Sequence, residues 1–208
     1  MEILDKLFGS AAKVKIMRMY LFNPTSTYSP SAVAKMLDVR GSSVRKELIL
    51  LEKIGFVKKR TSSSEIKPAK GRKKVVRKRI VGYLLDPRFP YIALLQNFLI
   101  NTDMVKHKEI LRKLNRCGKI KLVILAGVFI HDSDSRVDML IVGDNLKRKQ
   151  IDSVIKTIEA ELGKEINYAA FETPDFTYRL SMRDMLIRDI LDYQHEKIID
   201  KIGIGKRS

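Results

Sequence analysis

The chain has 208 residues, 45% hydrophobic and 31% charged, with a formal net charge of +17. That apolar content excludes wholesale disorder, and the length allows one large core or two modest ones. The charge is lopsided, with 21 Lys and Arg against 7 Asp and Glu in residues 1–90 but 20 against 17 in residues 91–208, which predicts two modules, the first meeting a polyanion.

The start, Met1 to Phe8, carries two acids and no basic segment ahead of an apolar stretch, so it does not read as a secretory signal. Ser10 is placed to cap a helix over Ala11–Phe22, with Val14, Met17 and Leu21 along one face and Asn23-Pro24 as its stop. Ser29-Pro30, a cap followed by proline at the first helical position, opens a helix to about Leu37. Its apolar stripe is Ala32, Val33, Met36 and Leu37. A four-residue turn, Asp38 to Gly41, leads to a third helix, with Ser42 read as its cap and Gly55 as its end. Val44, Leu48 and Leu51 there follow i, i+4, i+7 spacing.

Two short helices joined by so short a turn are what a helix-turn-helix requires. The second presents Arg40, Ser42, Ser43, Arg45 and Lys46 at its amino-terminal end, where a recognition helix meets base edges and phosphates. Arg45 is the candidate for direct readout, because its planar fork can bind guanine O6 and N7 together.

After Gly55 the period becomes extended. Phe56–Arg60 and Arg72–Leu85 read as strands, and Thr61–Gly71 as the loop between them. From Lys53 to Arg79 there are 12 basic residues against one acid, Glu65. A lysine-rich hairpin can simply be a solvated edge that resists aggregation. Directly behind a helix-turn-helix it reads instead as a wing, with Lys58, Lys67, Lys70, Arg72, Lys73, Lys74 and Arg77 as candidate phosphate contacts. Residues 1–86 therefore form the expected DNA-binding domain.

Asp86-Pro87-Arg88-Phe89-Pro90 breaks the last strand. Residues 87–117 read as a helical connector, with helices over Tyr91–Ile100 and Asp103–Asn115. Its apolar surface serves either dimerisation or packing between domains. Cys117 is alone and cannot form an internal disulfide, which suits a reducing cytoplasm.

In residues 118–208, Lys119–Gly127, Val137–Gly143 and Glu165–Phe171 read as strands, and Lys147–Leu162 and Ser181–Asp192 as helices. The result is a small α/β layer. The apolar run Leu122–Ile130 is too short for a membrane span. His131-Asp132-Ser133-Asp134 reads as a polar turn, since no third ligand converges on it, and the three histidines lack metal-ligand spacing.

Leu122 to Phe129, then Ser133 to Gly143, Asp144, the helix to Leu162 and Glu165 to Tyr168 resemble the minimal nucleotidyltransferase (polymerase beta-like) core. Leu7 to Ser10 through Gly55 to Val57 resembles the winged helix fused to such domains in prokaryotic transcriptional regulators. The resemblance implies a strand, a Gly-Ser turn, and Asp-x-Asp on the next strand, whose two acids stand about 6–7 Å apart on one face and hold Mg²⁺. This chain has Gly127-Val128 for the Gly-Ser, and Arg136 where the first acid belongs, leaving Asp138 alone. A guanidinium at that place is expected to pair with Asp138 and repel a cation. Asp134, in an extended strand, would stand about 13 Å away. The third acid of the family falls near Tyr168-Ala169-Ala170, where there is none.

The expectation is an α+β chain in which a winged helix-turn-helix binds double-stranded DNA and a nucleotidyltransferase-like domain, catalytically inactive and without cofactor or metal, senses or assembles. Its expected partners are DNA, a second copy as a homodimer and a nucleotide or protein effector, in a cytoplasmic, nucleoid-associated setting with no membrane role. The rival readings are an active nucleotidyltransferase whose basic half holds its substrate, and an RNA-binding module.

Overall fold

The computed structural model describes residues 3–66, 76–100, 107–130, 132 and 135–204. The chain is α+β and divides into two compact units, residues 1–104 with 160–164, and residues 105–159 with 165–208.

In the first unit, α1 (Ile3–Phe8) is a short helix that the sequence reading did not anticipate. Leu4 and Phe8 turn it onto the core. α2 (Ala11–Phe22) starts where expected, the Ser10 hydroxyl accepting the Lys13 amide at 3.3 Å. Its one-sided stripe is an underestimate. Val14, Ile16, Met17, Met19, Tyr20 and Leu21 are all buried, so α2 is a central helix rather than a surface one. Even Arg18 is buried, its Nε donating to the Leu99 carbonyl at 3.1 Å.

α3 (Pro30–Met36) is capped by Ser29, whose hydroxyl accepts the Ala32 amide. The turn that follows places Asp38 at φ 49°, a left-handed conformation that Asp tolerates better than most residues. α4 (Gly41–Lys53) then begins two residues earlier than Ser42 as cap would place it. Arg40 is the N-cap, its carbonyl accepts from Val44 at 3.1 Å, and no side chain caps the helix. Gly41 contributes no side chain to obstruct that earlier start, and Ser42 falls within the first turn. Gly55, at φ 80°, ends the helix as expected.

β1 (Val57–Ile66) and β2 (Val76–Leu85) pair antiparallel in unbroken register from Val57↔Leu85 to Ile66↔Val76. The expected loop from Thr61 therefore starts later, because Thr61–Ile66 continue the ladder. A third segment joins the hairpin, as Tyr28 and Tyr83 exchange both backbone hydrogen bonds at 2.9 and 2.8 Å. Gly82 permits this approach, since a Cβ there would lie 2.5 Å from Thr27 Cγ2 and 3.3 Å from the Tyr28 carbonyl oxygen.

Val33, Leu37, Val44, Leu48, Leu51, Phe56 and Leu85 close the core over α2. The stretch 87–117 is divided between the units. α5 (Ile92–Leu99) buries Leu99 in the first core, while α6 (His107–Leu114) belongs to the second unit; residues 101–106 lie outside the described residues.

The second unit is built on one sheet of order β5-β4-β3-β6. β3 (Lys119–Leu125) and β4 (Met139–Asp144) are antiparallel, β5 (Tyr168–Glu172) runs parallel to β4, and β6 (Glu196–Asp200) is antiparallel to β3. α7 (Arg148–Leu162) makes the connection between the parallel strands. Strand alternation sends Leu122, Ile124, Leu140 and Val142 to one face, where Phe176, Ile187 and Ile190 cover them. Those covering residues come from α8 (Thr173–Ser181) and α9 (Met185–Asp192). α8 and β6 were not legible from the sequence, and the final helix starts at Met185 rather than Ser181. No described helix is long and apolar enough to cross a membrane.

Candidate nucleic-acid interface

The outward stripe of α4 runs Ser42, Arg45, Lys46, Ile49 and Lys53, all exposed and spaced to share one helical face. Arg40 precedes it, also exposed, while Ser43 is half-buried. None of Arg40, Arg45, Lys46 and Lys53 holds an ion pair among the described residues. Opposite this stripe, Val44, Leu48 and Leu51 are anchored in the core, and the buried Glu47 meets Lys13 at 3.6 Å. The amino-terminal turn of α4 has no side-chain cap, and the exposed Arg40 and Arg45 flank it in sequence. Such a turn suits a phosphate oxygen.

Ile49 was not singled out in the sequence, yet it is 59% exposed in the middle of the cationic stripe. The period of α4 carries the signal, since Ile49 falls outside the Val44, Leu48, Leu51 series.

At the base of the hairpin the charges are partly neutralised. Lys58, a candidate phosphate contact, lies 3.5 Å from Asp86, whose carboxylate also takes two bonds from the Arg88 guanidinium at 3.2 and 3.1 Å. Those bonds hold the Asp86 carboxyl at about 2. Lys59 meets Glu52 at 2.7 Å, which raises its own pKa. Arg60 and Thr61 are exposed. The backbone of Arg77 lies on β2 opposite Glu65. Lys67, Lys70, Arg72, Lys73 and Lys74 lie outside the described residues.

In the second unit Asp138 is buried, and both of its carboxylate oxygens are engaged. The Val128 amide donates to Oδ1 at 2.8 Å and the Asn167 amide to Oδ2 at 2.8 Å. Its own backbone accepts from Ala126 and donates to the Asn167 carbonyl. Asp138 thus pins together the end of β3, the start of β4 and the approach to β5. Gly127, at φ 51°, completes the fit, because a Cβ there would collide with Asp138 Oδ1.

The expected Arg136–Asp138 pair does not form. Alternation on the strand would place both on one face, but Arg136 precedes β4 and turns to α9, pairing with Asp189 at 3.2 Å. The two walls enclose a cavity of about 370 Å³ lined by Ser135, Arg136, Val137, Met185, Asp189 and Tyr193.

Two other acids of the unit are engaged elsewhere. Glu172 accepts the Asn145 and Leu146 amides, and Asp144, at the far end of β4, meets Lys121 at 2.8 Å, which lowers its pKa. Among the described residues no three His, Cys, Asp or Glu side chains converge. These residues do not fit a Mg²⁺ pair, because Asp138 is a single carboxylate already oriented by the Val128 and Asn167 amides, and no three-ligand group forms around it among the described residues. Asp132 is described; His131, Ser133 and Asp134 lie outside the described residues. Cys117 is buried, and burial pushes its thiol up, away from the reactive thiolate. No protein-family model, curated protein or solved structure matches this chain.

Proposed function

We propose that this chain is a DNA-binding transcriptional regulator in which residues 1–86 act as a winged helix-turn-helix. In this reading α4 is the recognition helix in the major groove, and the β1–β2 hairpin is the wing on flanking phosphates. The observation that carries it is the unpaired cationic stripe of α4, with Arg40, Arg45 and Lys46 exposed at its amino-terminal end. The Tyr28–Tyr83 bridge supports the same reading, since it ties the helix pair to the hairpin as one rigid reader. Arg45 is the base-reading residue and Arg40, Ser42, Ser43 and Lys46 hold phosphates. Lys58 is assigned to the hairpin base through Asp86 rather than to DNA.

The second unit, in the same proposal, is a nucleotidyltransferase-like domain without catalysis. The commitment of Asp138 to the Val128 and Asn167 amides favours this over the active enzyme. Its part is sensing or assembly, with a nucleotide or protein as effector.

The test is a binding titration on duplex DNA chosen from random sequence, repeated across salt. About six phosphate contacts predict a loss of roughly a thousandfold in affinity between about 50 and 200 mM salt. Arg45→Ala is expected to cost about 1–3 kcal/mol on the selected site and to relax base preference there. A flat salt response, or structured RNA outcompeting the duplex at matched salt, rejects the proposal. Label transfer from a nucleoside triphosphate, abolished by Asp138→Ala in a folded variant, rejects the inactive second unit.

A further inference from the structure

We propose that the outer face of α1 and α5 is the seam on which two copies of this chain pair. Both helices are apolar on two sides. Inward, Leu4 and Phe8 of α1 and Ile92, Leu95 and Leu99 of α5 pack in the first core. Outward, Ile3 and Leu7 stand one turn apart, at 84% and 66% exposed. On α5, Leu94 is 65% exposed, Tyr91 just ahead of it 57%, and Phe98 continues the stripe at i+4. The Phe8 and Phe98 rings lie 6.3 Å apart, so α1 and α5 are neighbours.

Size and charge together name the occupant. The five outward side chains offer of order 600 Å² of mostly apolar surface, at the upper limit for a monomer and close to the roughly 800 Å² per partner of a standard interface. α5 contains no charged residue, in a chain that is 31% charged and carries +17. A nucleic acid, an acidic protein or an anionic lipid surface would need a surplus of cations facing it, and α1 and α5 together hold one cation, the exposed Lys6, against one acid, Asp5. At a net charge of +17, two copies of this chain meet with least repulsion across a face that carries no net charge. A two-fold arrangement then lays the same face on itself. Ile3 and Leu7 extend this face beyond the connector, whose apolar surface the sequence left either to dimerisation or to packing between domains.

Sedimentation equilibrium on the full chain, free of nucleic acid, tests this at about 0.1 and about 0.5 M salt. A species of twice 23.9 kDa is expected, and it tightens as salt screens the like charges. Leu7→Asp with Leu94→Asp is expected to weaken it by about a hundredfold while far-UV circular dichroism and the melting temperature stay unchanged. Where aspartate disturbs the fold, Ile3→Ser with Leu94→Ser serves instead. A monomer throughout the micromolar range overturns the inference. So does a dimer indifferent to both variants, or one that weakens as salt is raised.

Discussion

Replacing Asp138 separates a structural carboxylate from a metal ligand. Its two oxygens accept two backbone amides, the buried Val128 and the partly buried Asn167, each at 2.8 Å. A hydrogen bond to a charged group contributes about 1.5–3 kcal/mol. Asp138→Asn keeps the shape but turns an amide NH₂ toward one of those N–H donors, so one bond is lost and two donors face each other. About 2–3 kcal/mol of stability in the second unit should disappear. Asp138→Ala abandons both amides and should cost about 3–5 kcal/mol, a large part of the 5–15 kcal/mol typical of a domain. Gly127→Ala, whose Cβ would collide with Oδ1, should mimic the asparagine variant by displacing the same oxygen. Urea unfolding followed by circular dichroism gives the magnitude, and hydrogen exchange at the Val128 and Asn167 amides gives the location. The reasoning fails if Asp138→Asn unfolds within about 0.5 kcal/mol of the native chain and Mg²⁺ raises the melting temperature of the native chain but not of the variant.

Ile49 stands among cations on the stripe assigned to DNA, so replacing a contacted thymine by uracil, which removes only a methyl group, should weaken binding by about 1 kcal/mol. Ile49→Ala should erase that difference in the same titration. The Tyr20 hydroxyl is buried without a hydrogen-bond partner, and burial raises its pKa strongly. Tyr20→Phe should therefore leave the midpoint of urea unfolding unchanged or raise it; a loss above about 1 kcal/mol would reveal a partner for the hydroxyl. The Asp86 carboxyl, held at about 2 by Arg88, lies below its unfolded value, so its contribution to stability is present above pH 4 and is lost as pH falls through about 2. Carbon-13 shifts of Asp86 followed against pH check this, and a midpoint near 4 contradicts it.

How far the sequence could be read depended on whether the deciding force was local. Ser10, Ser29-Pro30 and Gly55 act within one turn of their own helix, and each boundary they mark is observed. Ser62–Ser64 read as loop because serine has little intrinsic preference for strands. A ladder with Arg79, Lys78 and Ile80 overrides that preference, and only the partner strand reveals it. The pattern of α2 shows one apolar stripe, and nothing local to Arg18 announces its burial, which a bond to the Leu99 carbonyl, 81 positions away, makes tolerable. Arg136 failed for the same reason. Spacing alone set it beside Asp138, but the strand starts only at Met139, and Asp189 on a later helix supplies a carboxylate that no pattern around residue 136 announces.

On the proposed reading, the inactivity of the second unit does not depend on a repelling guanidinium, as the sequence suggested. It follows from Asp138 itself. In an Asp-x-Asp site the first acid shares the load of a cation, and the second can turn its lone pairs to that cation while the backbone is held by other means. With arginine at the first position, a cation would have only one carboxylate, and the desolvation of that lone buried charge must be offset by something else. Two backbone amides do so here, and Gly127 leaves them the room. Once the carboxylate is fastened in this way, Arg136 is free to serve a different purpose. Its pairing with Asp189 fixes one wall of the cavity against α9. Restoring aspartate at position 136 alone would consequently not restore a metal pair. It would remove the Asp189 partner and still leave Asp138 turned toward its amides, so Arg136→Asp should loosen α9 without conferring Mg²⁺-dependent stability. Amide exchange along Met185–Asp192, measured with and without Mg²⁺, distinguishes this from a dormant metal site, in which the ion would instead protect the Asp138 turn.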